Sequence, residues 1–97
     1  MSTVSSQAPR FGVLVHGAGW VAGQHLAACA AHALTRVVAV SSRTVDSARQ
    51  RVAAAGLDDV PCYADLSRAL AHPGVDIVCI CTPQHLHAEN VVAAARA

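Results

Sequence analysis

Six consecutive residues carry the clearest chemical signal in the chain: Gly17-Ala18-Gly19-Trp20-Val21-Ala22, a match to G-x-G-x-x-G/A. Each small residue has a physical job in such a turn. Gly17 permits the tight passage from strand to helix, and Gly19 leaves no Cβ between the backbone and a pyrophosphate. Ala22 lets the helix pack closely on the strand. Open N–H groups and the positive dipole end of that helix then favour an anion. Glycine turns also join elements that bind nothing, so context decides. Here the apolar run Phe11–His16 comes before the turn, a helical stripe follows, and a second apolar run, Val37–Val40, comes next. That is the strand–turn–helix–strand setting the motif requires. Gly17, Ala18, Gly19, Trp20, Val21 and Ala22 are therefore the expected dinucleotide contacts.

The second run ends in Ser41-Ser42-Arg43-Thr44. An Asp or Glu at this place bonds the adenosine ribose hydroxyls and repels a 2′-phosphate. None is present. Arg43 instead offers a guanidinium fork suited to phosphate, with the hydroxyls of Ser42 and Thr44 beside it. NADP(H) is favoured on this ground, with NAD(H) as the alternative. The bland reading of Arg43 is a solvated loop residue paired with Asp46.

The third segment is Thr82-Pro83-Gln84-His85-Leu86-His87. Thr82 and Pro83 close a strand across from the glycine turn, where they border the nicotinamide end of a cofactor. Pro83 has no N–H, so it ends the strand cleanly. No catalytic residue is expected in this chain, though His85 projects from the loop and, with His87 weighed beside it, is the acid/base candidate. His87 begins a helix and has a structural alternative, a bond to a loop carbonyl. Both are counted with the cofactor-side residues. The Cys79-x-Cys81 and His85-x-His87 spacings suggest a metal, but zinc pairs are spaced more widely and come from turns. Cys29 with His25 and His32 reads as helix surface. No metal site is expected.

These residues need a scaffold. The pattern of Ala22, Leu26, Cys29, Ala30 and Ala33 is a helical stripe. Val37–Val40 reads as a strand covered on both faces. Thr44 suits the N-cap of a helix over Val45–Ala55, which Gly56 ends in a left-handed turn. Val60–Tyr63 holds a Pro and suits a sheet edge. Asp65 caps a helix to about Ala71, which His72-Pro73-Gly74 ends. Val75–Cys81 is the last strand, and a helix begins near Leu86. Strict alternation predicts an α/β fold, a Rossmann-type parallel sheet of order 3-2-1-4 with helices on both faces. Its ligand crevice lies beyond the C-terminal ends of strands one and four. Met1–Arg10 reads as a flexible leader, and 11–97 as a partial nucleotide-binding domain.

Composition narrows the class. The chain has 97 residues, 54% hydrophobic and 13% charged, with a net charge of +1. It has one Phe, one Trp and one Tyr. Such a chain forms a core and has no basic stripe, so nucleic acid is not an expected partner. No apolar stretch nears the ~20 residues of a membrane span, and no apolar segment precedes Phe11. Cys79 and Cys81 lie in an apolar run, as buried thiols do. A cytoplasmic setting fits. The seven basic residues are all Arg, so chemistry that needs a Lys cannot come from this chain.

Taken together, VHGAGWVAGQH (Val15–His25), VVAVSSR (Val37–Arg43), YADL (Tyr63–Leu66) and VDIVCICTPQHLHAE (Val75–Glu89) resemble the N-terminal domain of a known family. It is the glucose–fructose oxidoreductase, inositol dehydrogenase and rhizopine-catabolism (Gfo/Idh/MocA) family. The resemblance implies NAD(P)-dependent hydride transfer on a sugar, polyol or related small molecule. It also implies a catalytic Lys in the next segment, a second α/β domain carrying the substrate site and a His, and a homo-oligomer at full length. His16 departs from the family, where a small or aliphatic residue is usual. Ser42 stands where an acid is often found. The competing readings are a dinucleotide-binding sensor without chemistry and a methyltransferase, the latter disfavoured by the missing acid. The chain is expected to be a fragment, inactive alone and marginally stable or aggregating, because its last strand leaves an apolar edge.

Overall fold

In this computed structural model residues 10–97 are described, so the expected leader lies, Arg10 apart, outside the described residues. Four strands, β1 (Phe11–His16), β2 (Thr35–Ser41), β3 (Cys62–Tyr63) and β4 (Ile77–Ile80), form one sheet. Its order is β3-β2-β1-β4, every pair parallel. This is the expected 3-2-1-4 arrangement. The helices are α1 (Trp20–Ala31), α2 (Val45–Ala54), α3 (Leu66–Leu70) and α4 (His87–Arg96), with a 3-10 turn at Gln84–Leu86 before the last.

Alternation along β1 divides the core. Val13 and Val15 face one way, into a cluster with Ala22, Leu26, Val40, Ala48 and Val52 from α1, β2 and α2. Leu14 faces the other way and meets Ala39, Leu66 and Ala69, the α3 side. Helices on both faces leave the C-terminal strand ends as the open rim.

Local chemistry explains the boundaries. Thr44 Oγ1 accepts from Ser47 N at 3.1 Å and starts α2. Gly56, at φ +74°, ends it, with Leu57 N donating back to Val52 O at 3.1 Å. Asp65 accepts from Ser67 N at 3.3 Å and starts α3.

Three expectations need correction. The α1 stripe is shorter than expected: Ala22 and Leu26 are buried and Cys29 half-buried, but Ala30 is exposed and Ala33 lies past the helix end. β4 spans Ile77–Ile80 rather than Val75–Cys81, because Asp76 turns its carboxylate to Gly12 N at 2.8 Å. Cys79 and Cys81 are half-buried, not buried, since β4 has no neighbour on its outer side among the described residues.

Candidate functional site

The rim opens into a crevice of about 860 Å³, bordered by Gly17–Val21, Ser42, Arg43, Thr82, Pro83 and His85. Three segments singled out by residue type alone therefore meet around one space. His16, Ser47, Ala64, Asp65, Leu66, Cys81 and Leu86 complete the wall.

The glycine turn is built as its chemistry demands. Gly17 has φ +124°, and a Cβ there would stand 2.6 Å from Cys81 O. Only glycine lets β1 pass β4 at this point. A Cβ on Gly19 would meet nothing within 4 Å. That position faces free space, as a backbone that approaches a phosphate must. No side chain caps α1, and its first turn holds no acid. Its leading N–H groups stay open to an outside acceptor. The residues thus fit a pyrophosphate. Trp20, 71% exposed, stands on the wall beside them. Ala22 is fully buried in the core and sets the packing of α1 without touching the crevice.

At the end of β2, Arg43 is exposed and on the wall. Ser42 is nearly buried, its hydroxyl 2.6 Å from that of Ser47. Thr44 donates to Ser47 Oγ at 2.9 Å and caps α2, so its hydroxyl is spent on the helix and is not a crevice group. Of the two hydroxyls expected beside Arg43, Ser42 alone is on the wall, where it bonds Ser47 rather than standing free. The crevice does hold an acid, Asp65, from the start of α3. Its oxygens accept from Ser67 N at 3.3 Å and Ser67 Oγ at 2.8 Å.

On the opposite wall His85 reaches the crevice from the 3-10 turn. His87 does not line it. Its Nε2–H donates to the Thr82 carbonyl at 2.6 Å, and Thr82 Oγ1 donates to Asn90 Oδ1 at 2.6 Å. His87 and Asn90 pin the loop from α4, so His87 is a positioning residue.

Sequence reasoning missed two supports. Arg51, from α2, donates Nε–H to Ala18 O at 2.8 Å and ties the glycine turn down. It lies 33 positions away, beyond any local pattern. Ser47 could have been found, three residues after the N-cap. Burial pushes the thiols of Cys81 and Cys79 up, Cys79 to about 11, with the neighbouring thiols adding to it. They are poor nucleophiles. Among the described residues no three His, Cys, Asp or Glu are placed to hold a metal, and no helix is long and apolar enough to cross a membrane.

A fold of order 3-2-1-4 with a glycine turn at its switch point defines a dinucleotide-binding domain. The family model described as an oxidoreductase family with an NAD-binding Rossmann fold (Gfo/Idh/MocA) matches residues 11–97, and the chain belongs to that family. No curated protein matches by sequence. Among solved structures, myo-inositol dehydrogenase from Lactobacillus casei, in complex with NAD(H) and myo-inositol, superposes with TM-score 0.83 at 24% identity over 91% of this chain and 26% of that one. A 3-ketoreductase from Actinomadura kijaniata, in complex with TDP-benzene and NADP, gives 0.78 at 32% identity, covering 90% and 27%. A probable dehydrogenase from Thermotoga maritima gives 0.76 at 25% identity, covering 88% and 25%. The chain spans about a quarter of the length of these structures.

Proposed function

We propose that this chain is the cofactor-holding part of an enzyme that transfers a hydride between NADP(H) and a sugar, polyol or related small molecule. The observation that carries the reading is the meeting of Gly17–Val21, Ser42-Arg43 and Thr82-Pro83-His85 around one crevice. In this reading the open amides of the glycine turn hold the pyrophosphate. Arg43, with Ser42, takes the adenosine ribose and its 2′-phosphate. Asp65 shares the wall and keeps its negative charge, so the preference for the 2′-phosphate rests on Arg43. Thr82, Pro83 and His85 border the nicotinamide, and His85 is the candidate proton-handling group of this chain. Nicotinamide supplies a hydride donor or acceptor when bound. The chain has no Lys, so a Lys acid/base belongs to protein outside it, as does the substrate pocket. A cytoplasmic homo-oligomer is the proposed setting of the full-length protein.

The test is a titration of NADPH and NADH into the full-length protein, followed by fluorescence. NADPH binds tighter, and Arg43→Ala weakens NADPH by about tenfold or more, the size of a lost charge-assisted hydrogen bond, leaving NADH unchanged. NADH binding as tightly as NADPH in both proteins refutes the NADP(H) assignment.

A further inference from the structure

His16 is the departure from the family pattern that the proposed function leaves unexplained. It ends β1, immediately before Gly17. In the sheet it stands beside Ser41 on one side and Ile80 on the other. Alternation from Leu14 puts it on the α3 face, at the rim. Its Nδ1 lies 2.7 Å from Ser41 Oγ.

Ser41 is fully buried, and among the described residues the imidazole is its hydroxyl's partner. A buried O–H left without an acceptor costs more than a spare lone pair. The hydroxyl therefore donates to Nδ1, and the neutral ring carries its proton on Nε2. No buried side-chain nitrogen or oxygen among the described residues lacks a partner. Nε2, which has no protein partner, is therefore open, and His16 lines the crevice. The result is a fixed N–H donor beside a phosphate-binding turn.

We propose that His16, oriented by Ser41, donates Nε2–H to a phosphate oxygen of the bound dinucleotide. The inference rests on the dinucleotide reading of the crevice. It has a second part: bound phosphate charge favours imidazolium, so binding draws a proton from solvent onto Nδ1, which then donates to Ser41 Oγ, the phosphate attraction offsetting the loss of that hydroxyl's acceptor. Burial holds the ring below its ordinary 6.5, only partly countered by Asp65, so above that pH the free ring is mostly neutral. The other charged or titratable groups of the crevice are Arg43, from the loop after β2, Cys81 beyond β4 and His85. From α1 come only Trp20 and Val21; Tyr63 of β3 does not line the crevice, and its hydroxyl is 2.8 Å from His72 Nδ1.

The experiment is calorimetry of NADPH binding to the full-length protein in two buffers of different ionisation heat, from pH 5.5 to 8. His16→Gln keeps a donor near Nε2 but cannot titrate; His16→Leu has neither property. Comparing variants cancels the titration of the nucleotide's own 2′-phosphate. Wild type should take up more protons than His16→Gln below pH 7, and its affinity should rise more steeply as pH falls, by up to tenfold per unit. At pH 8 His16→Gln should match wild type, and His16→Leu should bind about tenfold more weakly. Equal proton uptake in wild type and His16→Gln, or full affinity in His16→Leu, overturns the role of His16 and leaves the nucleotide site standing. Failure of wild type to bind any pyridine nucleotide overturns the site and the inference together.

Discussion

The two sides of β1 are built to different standards. Toward β2, β1 meets a closed core, with Val15, Leu26, Ala39, Val40 and Ala48 all at 0% exposure. Toward β4, neither that strand nor α4 has a buried residue, and Ile77, Val91 and Val92 are exposed at 39%, 53% and 47%. The first side holds the glycine turn and Arg43; the second holds Thr82 and His85. Close packing thus supports the residues proposed to grip phosphate, and loosely covered elements carry those proposed to border the reacting end.

That contrast can be broken by mutation. The largest effect is expected from Leu26→Ala, about 2–5 kcal/mol of unfolding free energy in a urea titration, the cost of a cavity in the closed core. Gly17→Ala comes next, at about 1–3 kcal/mol, because the new Cβ meets both a positive φ and the Cys81 carbonyl 2.6 Å away. Thr44→Ala should cost about 1 kcal/mol through the lost cap of α2, and Thr44→Ser much less. Val92→Ala, on the open side, should stay within about 0.5 kcal/mol. A Val92→Ala cost equal to that of Leu26→Ala would erase the distinction between the two sides.

Acid and alkali should also act on different residues. His16 is held below 6.5 in the folded chain, so its contribution is whole above 6.5 and fades as pH drops beneath that value. Cys79 is raised from 9.0 to about 11, so its contribution is whole below 9.0 and fades as pH climbs toward 11. His16→Leu should flatten the acid side of a stability–pH curve, and Cys79→Ala the alkaline side.

Much of the molecule was legible residue by residue. The run Phe11–His16, the Thr44 and Asp65 caps and the left-handed Gly56 each state a local preference that the fold keeps. So does the glycine turn, whose geometry needs only neighbouring residues. Local reading failed where a distant partner decides. β4 is short because Asp76 bonds back to Gly12, 64 positions away. Arg51 supports Ala18 from another helix, and Asp65 reaches the crevice only because β3 ends beside β2. Cys79 and Cys81 looked interior from their neighbours' polarity, but exposure depends on what lies beyond β4, and sequence periodicity carries no information about that.

Gly12 and Asp76 exchange two bonds at one end of the β1–β4 seam, each 2.8 Å, and Cys81 N meets His16 O at 2.8 Å at the other. A ribbon stapled at both extremities has no loose tip from which to unzip. Its amides should therefore swap hydrogen for deuterium as one cooperative group, at a common rate, rather than in a gradient from either terminus.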